Sequence, residues 1–267
     1  MDGLSGISET NRRYLAQLHR HTSGLVDVSE AAELLGMDRA KASKLLAKLT
    51  SQGWARRLKR GFYLLIPLEA TSPEDWSIDP WIVAERIFRP AYIAGWTACE
   101  HWGFTEQIFR DVAVFTASAI RERSLTIDQT TYVLRKIPEE LLFGTQVVWR
   151  SDTRVDVSDP TRTLVDILDE PKWGGGIRHV TQVLAAYLVS EHYNEDLLLD
   201  YLERVGNYAA VKRLGYLIEA SNTEGSTLIN KLRPLISEGY ALLDPSAPPK
   251  GPFVARWNIR VNMETIL

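Results

Sequence analysis

Residues 38–66 read DRAKASKLLAKLTSQGWARRLKRGFYLLI, and the fold of the N-terminal part of the chain turns on this stretch. Asp38 is a side-chain acceptor placed to cap a helix that begins at Arg39, and Gly53 supplies its flexible stop. Within that helix Ala42, Leu45, Leu46 and Leu49 recur at helical spacing and define a core stripe. Lys41, Lys44, Lys48 and Ser51 stand at offsets of three, seven and ten, which gathers them on the other side, with Arg39 and Ser43 near the N-terminal end. Residues 54–58 and 61–66 then read as two short strands, with Lys59-Arg60-Gly61 turning between them. From Arg39 to Arg60 there are eight basic residues, namely Arg39, Lys41, Lys44, Lys48, Arg56, Arg57, Lys59 and Arg60, and no acidic one. Such a density suits a polyanion.

Working outward, Tyr14, Leu15 and Leu18 give residues 9–20 an amphipathic helical pattern after Ser8 as N-cap, with Arg12 and Arg13 on the outer face. Residues 26–28 read as a short strand. Ser29 then offers a cap to a second helix over 30–35, which Gly36 ends. A short helix, a Gly turn, a second helix with a polar basic face and a basic hairpin make a winged helix-turn-helix, whose second helix enters the major groove. An isolated basic helix would read as a solvated face; the basic hairpin behind this one favours double-stranded DNA. Base edges are read from the early recognition helix, which nominates Arg39, Lys41, Ser43 and Lys44. Lys48, Arg56, Arg57, Lys59 and Arg60 are placed for phosphates, whose contacts weaken with salt.

The chain has 267 residues, 45% hydrophobic and 24% charged, which excludes a disordered or low-complexity class. The net charge of −3 conceals an asymmetry: residues 1–66 hold 11 Lys/Arg against 6 Asp/Glu, and the rest 20 against 28. No apolar run approaches the roughly 20 residues of a membrane span, and the start carries no basic segment followed by an apolar one. The expectation is a cytoplasmic protein without a membrane partner. Cys99, the lone cysteine, allows no internal disulfide and reads as a buried small hydrophobe.

The polar, proline-bounded stretch TSPED at 71–75 places a domain boundary near residue 72, giving a DNA-binding domain over 1–71 and a second domain over 72–267. Helical spacing marks 80–88 and 95–102, and β-branched and aromatic content marks strands at 111–116, 130–137, 145–149 and 153–157. From 159 onward the chain is mostly helical, at 160–168, 178–192, 194–205, 208–220 and 226–236. Strands at 240–243 and 254–261 flank a Pro-rich loop. The fold class is α+β, a winged helix-turn-helix followed by a larger mixed α/β domain.

Chemistry in the second domain is sparse. The histidines, His19, His21, His101, His179 and His192, have no zinc-type spacing, and phosphate-loop, nucleophile-elbow and H-E-x-x-H motifs are missing. Gly174-Gly175-Gly176 lacks the lysine and preceding strand of a phosphate loop and reads as a turn between helices. Asp159 with Glu170 and Lys172 echoes the metal-dependent nucleases, yet Asp159 before Pro160 is better explained as a helix cap. No catalytic residue, metal or other cofactor is expected, and no enzyme.

The run DPTRTLVDILDEP at 159–171, with the 174–176 glycines, resembles the D-x-x-R-T-L-x-D-x-L…P…GG signature of the AbiEi antitoxins of bacterial type IV toxin–antitoxin systems. The stretch NYAAVKRLGYL at 207–217 resembles a later helix of that family, and the order of parts also matches. The resemblance implies a winged helix that represses its own operon at inverted repeats in its promoter, as phage-defence systems of this type do. It also implies a C-terminal antitoxin domain counteracting a co-encoded nucleotidyltransferase-like toxin, a functional partner that direct contact need not reach. Arg162, Arg178, Lys212 and Arg213, basic residues in an acidic domain, are candidates for an antitoxin surface, although Arg162 and Asp166 at i+4 equally suit an internal ion pair. Two other readings stand beside this one. In the first the chain is a stand-alone winged-helix transcriptional regulator with a ligand-sensing or dimerising C-terminal domain, which the neighbouring gene would discriminate. In the second it is a nuclease whose metal-dependent cleavage disappears in Asp159→Ala and Glu170→Ala.

Overall fold

The chain enters its first helix, α1 (Glu9–His21), where Ser8 Oγ accepts the Asn11 N–H at 3.3 Å. A strand, β1 (Leu25–Asp27), leads directly into α2 (Val28–Leu34). Asp27 caps α2 rather than the expected Ser29: its carboxylate accepts the Ser29 and Glu30 N–H groups at 2.7 and 3.0 Å, and the Glu30 side chain returns to the Asp27 N–H. A charged acceptor in a reciprocal capping box satisfies more of the open helix end than one hydroxyl would. Asp38 then caps α3 (Arg39–Ser51), accepting the Lys41 N–H at 2.8 Å. β2 (Ala55–Lys59) and β3 (Phe62–Leu65) close the hairpin around Gly61 at φ +89°, and the three strands lie in the order β1-β3-β2, all antiparallel. Leu15, Leu18, Ala42, Leu46, Leu49 and Leu65 form the core of this module, each fully buried. Burial of a leucine is worth roughly 1.5–3 kcal/mol, so this cluster holds the three helices to the sheet.

The structure is a computed structural model that describes residues 6–70, 76–221 and 227–263; the stretch 71–75 and the expected boundary within it lie outside the described residues. Two compact units result, neither continuous in sequence. One comprises Met1–Arg89, Ser124–Tyr132 and Val148–Val155, the other Pro90–Arg123, Val133–Val147 and Asp156–Leu267. In the first unit α4 (Pro80–Phe88), with Asp79 as cap and Pro80 at its first position, ties back through an Arg86–Glu30 ion pair.

The middle of the chain contributes β4 (Ala91–Ile93), α5 (Gly95–His101), β5 (Val112–Thr116), β6 (Ser124–Ile127), β7 (Thr130–Lys136), β8 (Thr145–Arg150) and β9 (Thr153–Ser158). Their sheet order is β6-β7-β5-β4-β9-β8, with β4 antiparallel to β5 and parallel to β9. β4 and β6 have no counterpart in the sequence pattern, because three and four residues are too few to display alternation.

The helices α6 (Pro160–Asp169), α7 (Ile177–Val189), α8 (Glu195–Val205), α9 (Tyr208–Ala220) and α10 (Thr227–Leu232) follow. α6 is buried on every side from Pro160 to Leu168 and is the centre about which the second unit is packed. A three-stranded sheet of β10 (Ala241–Leu242), β11 (Phe253–Val254) and β12 (Ile259–Arg260), ordered β10-β12-β11, ends the described chain. Residues 254–261 therefore do not form the single strand expected. A 3-10 turn at Ala255–Trp257 and Asn258 at φ +47° interrupt it, and this turn seats the fully buried Trp257 ring against Gly215, where a Cβ would meet the ring at 2.0 Å. Among the described residues no helix is long and apolar enough to cross a membrane.

Candidate nucleic-acid interface

Alternate sides of α3 have opposite fates. Ala42, Leu46 and Leu49 are fully buried, whereas Arg39, Lys41, Ser43, Lys44 and Lys48 are all exposed. Lys41 Nζ lies 3.1 Å from Asp38 Oδ2, and the Lys41 N–H and ammonium hold that carboxyl below its ordinary range. Among the described residues no carboxylate pairs with Arg39, Lys44 or Lys48. These cations project from one rigid helix into solvent, the arrangement that a polyanion neutralises.

The hairpin divides its cations in the same way. Arg57, Lys59 and Arg60 are exposed, with Lys59 Nζ 5.6 Å above the Phe88 ring. Arg56, expected at a phosphate, points elsewhere: its Nη2 donates to Asp128 Oδ1 at 2.5 Å and to the Trp76 carbonyl at 3.0 Å. Strand alternation is the cause, since Arg56 stands opposite Leu64 and Arg57 opposite Tyr63, on different faces. The charge of Arg56 is neutralised inside its own unit. Asp128 was not legible as its partner, because 72 residues of sequence separate the two.

Of the four cations nominated for an antitoxin surface, the structure leaves only Arg178 exposed. Arg162 is 2% exposed and lies in a closed network: Nε donates to Asp166 Oδ1 at 2.8 Å, Nη2 to Tyr92 Oη at 3.0 Å, and Tyr92 Oη to Asp166 Oδ2 at 3.1 Å. The guanidinium also stacks on Phe143, 4.2 Å from the ring centre. Burial works against its charge, but the facing Asp166 carboxylate prevails and holds Arg162 above its ordinary value. Arg213 donates from Nη1 to the Leu168 and Asp169 carbonyls at 2.8 and 2.9 Å, satisfying the open C-terminal end of α6. Burial pushes it down to about 10, which leaves it protonated at neutral pH. Lys212 Nζ donates to the Gly239 carbonyl at 3.0 Å. These bonds tie all three buried side chains into the fold.

Asp159 caps α6, accepting the Arg162 N–H at 2.7 Å and the Tyr201 hydroxyl at 2.8 Å, while Glu170 at the far end pairs with Lys172 and accepts from Trp173 Nε1. Ten helical residues, about 15 Å, separate the two carboxylates, so they do not converge. Gly175 and Gly176, at φ +79° and +96°, turn the chain into α7, whose first N–H group is met by Asp244 Oδ2 at 3.1 Å. The place a phosphate would take is thus filled by the chain's own carboxylate. Cys99 is fully buried, which pushes its thiol up.

Comparison with curated proteins finds no match. The crystal structure of the RV2827C protein from Mycobacterium tuberculosis is similar over 97% of this chain and 93% of that one, with a TM-score of 0.61 and 17% identity. That likeness is one of fold. Residues 13–66, the stretch that carries α1, α2, α3 and the basic hairpin, match the family model described as "Transcriptional regulator, AbiEi antitoxin". Over those residues the winged helix-turn-helix of this chain is similar to that of the AbiEi antitoxin regulators.

Proposed function

We propose that the chain is a DNA-binding antitoxin, not an enzyme, that represses its own operon and neutralises a co-encoded nucleotidyltransferase-like toxin. The observation that carries the DNA-binding half is the outward row of Lys41, Lys44 and Lys48 on a helix whose other side is core, flanked by Arg57 and Arg60 on the hairpin. α3 lies in the major groove with Arg39, Lys41, Ser43 and Lys44 at base edges, while Lys48, Arg57, Lys59 and Arg60 take phosphates. Repression follows from occupancy of inverted repeats in the promoter. The antitoxin half rests on the family description of residues 13–66 and on the 159–176 signature.

Two assays test the two halves. A gel-shift titration of the chain against its own upstream region is expected to give specific binding that Lys41→Ala/Lys44→Ala removes. Co-expression with the neighbouring gene product is expected to restore growth. Promoter binding without growth rescue would make the chain a plain transcriptional regulator, and rescue without promoter binding would remove α3 from the site.

A further inference from the structure

The small C-terminal sheet presents a second surface that neither reading uses. Residues directly opposite in a ladder point to the same face. Leu242 and Phe253 both stand opposite Arg260, so these three share one face, and Tyr240, two residues before Leu242, joins them. The reverse face carries Ile259, fully buried, and Val254. The outward face thus holds two aromatic rings that are 61% and 49% exposed, Tyr240 and Phe253, with centroids 6.1 Å apart. Arg260 lies between them, its guanidinium 5.4 Å from the Tyr240 ring.

Arg260 has no carboxylate counterion among the described residues. Its Nη1 reaches the Gly251 carbonyl at 3.5 Å, and its Nε has no hydrogen-bond partner. Arg233 and Lys250 are exposed nearby in sequence and likewise unpaired by carboxylates among the described residues, whereas Arg256 is engaged by Glu219. Asp244 is buried and used by α7, so Glu238 is the exposed acidic side chain of residues 233–263. Residues 233–263 thus hold four basic side chains against two acidic ones, within a region that is acidic in sum.

We propose that this face binds single-stranded nucleic acid, with bases stacked on Tyr240 and Phe253 and phosphates held by Arg260 and Lys250. Exposed rings interleaved with unpaired cations are the elements of a sequence-tolerant single-strand site. Two rings are too little area for a stable protein interface, which buries about 800 Å² on each side.

The test is fluorescence anisotropy of the full chain with labelled 15-residue oligo-U RNA and oligo-dT DNA, in a Lys44→Ala/Lys48→Ala background that weakens the duplex site. Binding of either oligonucleotide is expected, with RNA preference reporting contact to the 2′-hydroxyl. Adding Tyr240→Ala/Phe253→Ala is expected to weaken it tenfold or more, and Tyr240→Phe to preserve it. Arg260→Gln is expected to reduce the dependence of log affinity on log salt by about 0.7. In the wild-type background, Tyr240→Ala/Phe253→Ala leaves promoter-duplex binding unchanged. The proposal is overturned if the folded chain, checked by circular dichroism, binds neither oligonucleotide, or if the aromatic pair changes affinity less than twofold. It is equally overturned if those substitutions alter only the sedimentation of the protein, which would make the face a protein interface.

Discussion

On α3 the cations Lys41, Lys44 and Lys48 stand in solvent, whereas on α6 Arg162 is 2% exposed and locked to Asp166 at 2.8 Å. Both helices place cations at helical spacing, and the spacing alone does not separate them. The surroundings do. Lys44 and Lys48 have no acidic residue within one turn, and their helix has a single apolar stripe, so one side must be wet. Arg162 has Asp159 three residues before and Asp166 four after, in a run otherwise apolar or hydroxylic, so its helix buries every side. An arginine in such a helix persists only with its charge matched and its N–H groups satisfied, which Asp166, Tyr92 and the Phe143 carbonyl accomplish. A basic residue in a signature motif therefore marks structure as readily as contact.

The largest effect expected from this contrast is on α6. Arg162→Ala strands the Asp166 carboxylate in the core and is expected to cost about 3–5 kcal/mol in urea unfolding of the full chain, whereas Arg162→Met/Asp166→Leu, removing both charges, costs clearly less. A single-variant loss under about 1 kcal/mol would mean that the pair is solvated and the contrast with α3 false. Next comes the buried side of α3 itself. Leu46→Ala is expected to cost about 2–5 kcal/mol, because the cavity opens in a module whose core is a few leucines deep.

Lys44→Ala, two residues away, is expected to leave unfolding within about 0.5 kcal/mol of wild type and to lose about 1–3 kcal/mol of discrimination between promoter and random duplex. Equal loss on both duplexes would reassign Lys44 from a base edge to a phosphate. A change in unfolding instead would place it in the core with Leu46, which its exposure contradicts.

How much of this was legible follows the range of the interactions. The winged module could be read because caps, turns and stripes are local: Ser8, Asp38 and Gly53 stand within a few residues of what they do. The i,i+4 pair of Arg162 and Asp166 was visible for the same reason. Tyr92, which completes that network, sits on a three-residue strand 70 positions away, and nothing in its neighbours announces it. The inward turn at Trp257 was hidden likewise, since the space it fills is made by Gly215 on α9. Lys212 and Arg213 looked like surface because charge is the visible property. Their acceptors are backbone carbonyls, which every residue carries and no sequence pattern marks.

The smallest expected effect makes the sharpest comparison, because it sets two adjacent arginines against each other. Arg56 pairs with Asp128 while its side chain stays 31% exposed, and Arg57 faces solvent on the other side of the same strand. A partly exposed ion pair is worth at most about 1 kcal/mol, so Arg56→Ala should lower stability by that order and Asp128→Ala by as much, with the double variant no worse than either. Arg57→Ala should leave stability alone and reduce the slope of log affinity against log salt by about 1. If Arg56→Ala flattened the salt slope as much as Arg57→Ala without touching stability, Arg56 would exchange Asp128 for a phosphate on binding. The hairpin would then contact DNA with both faces of β2, and strand alternation would no longer sort its cations.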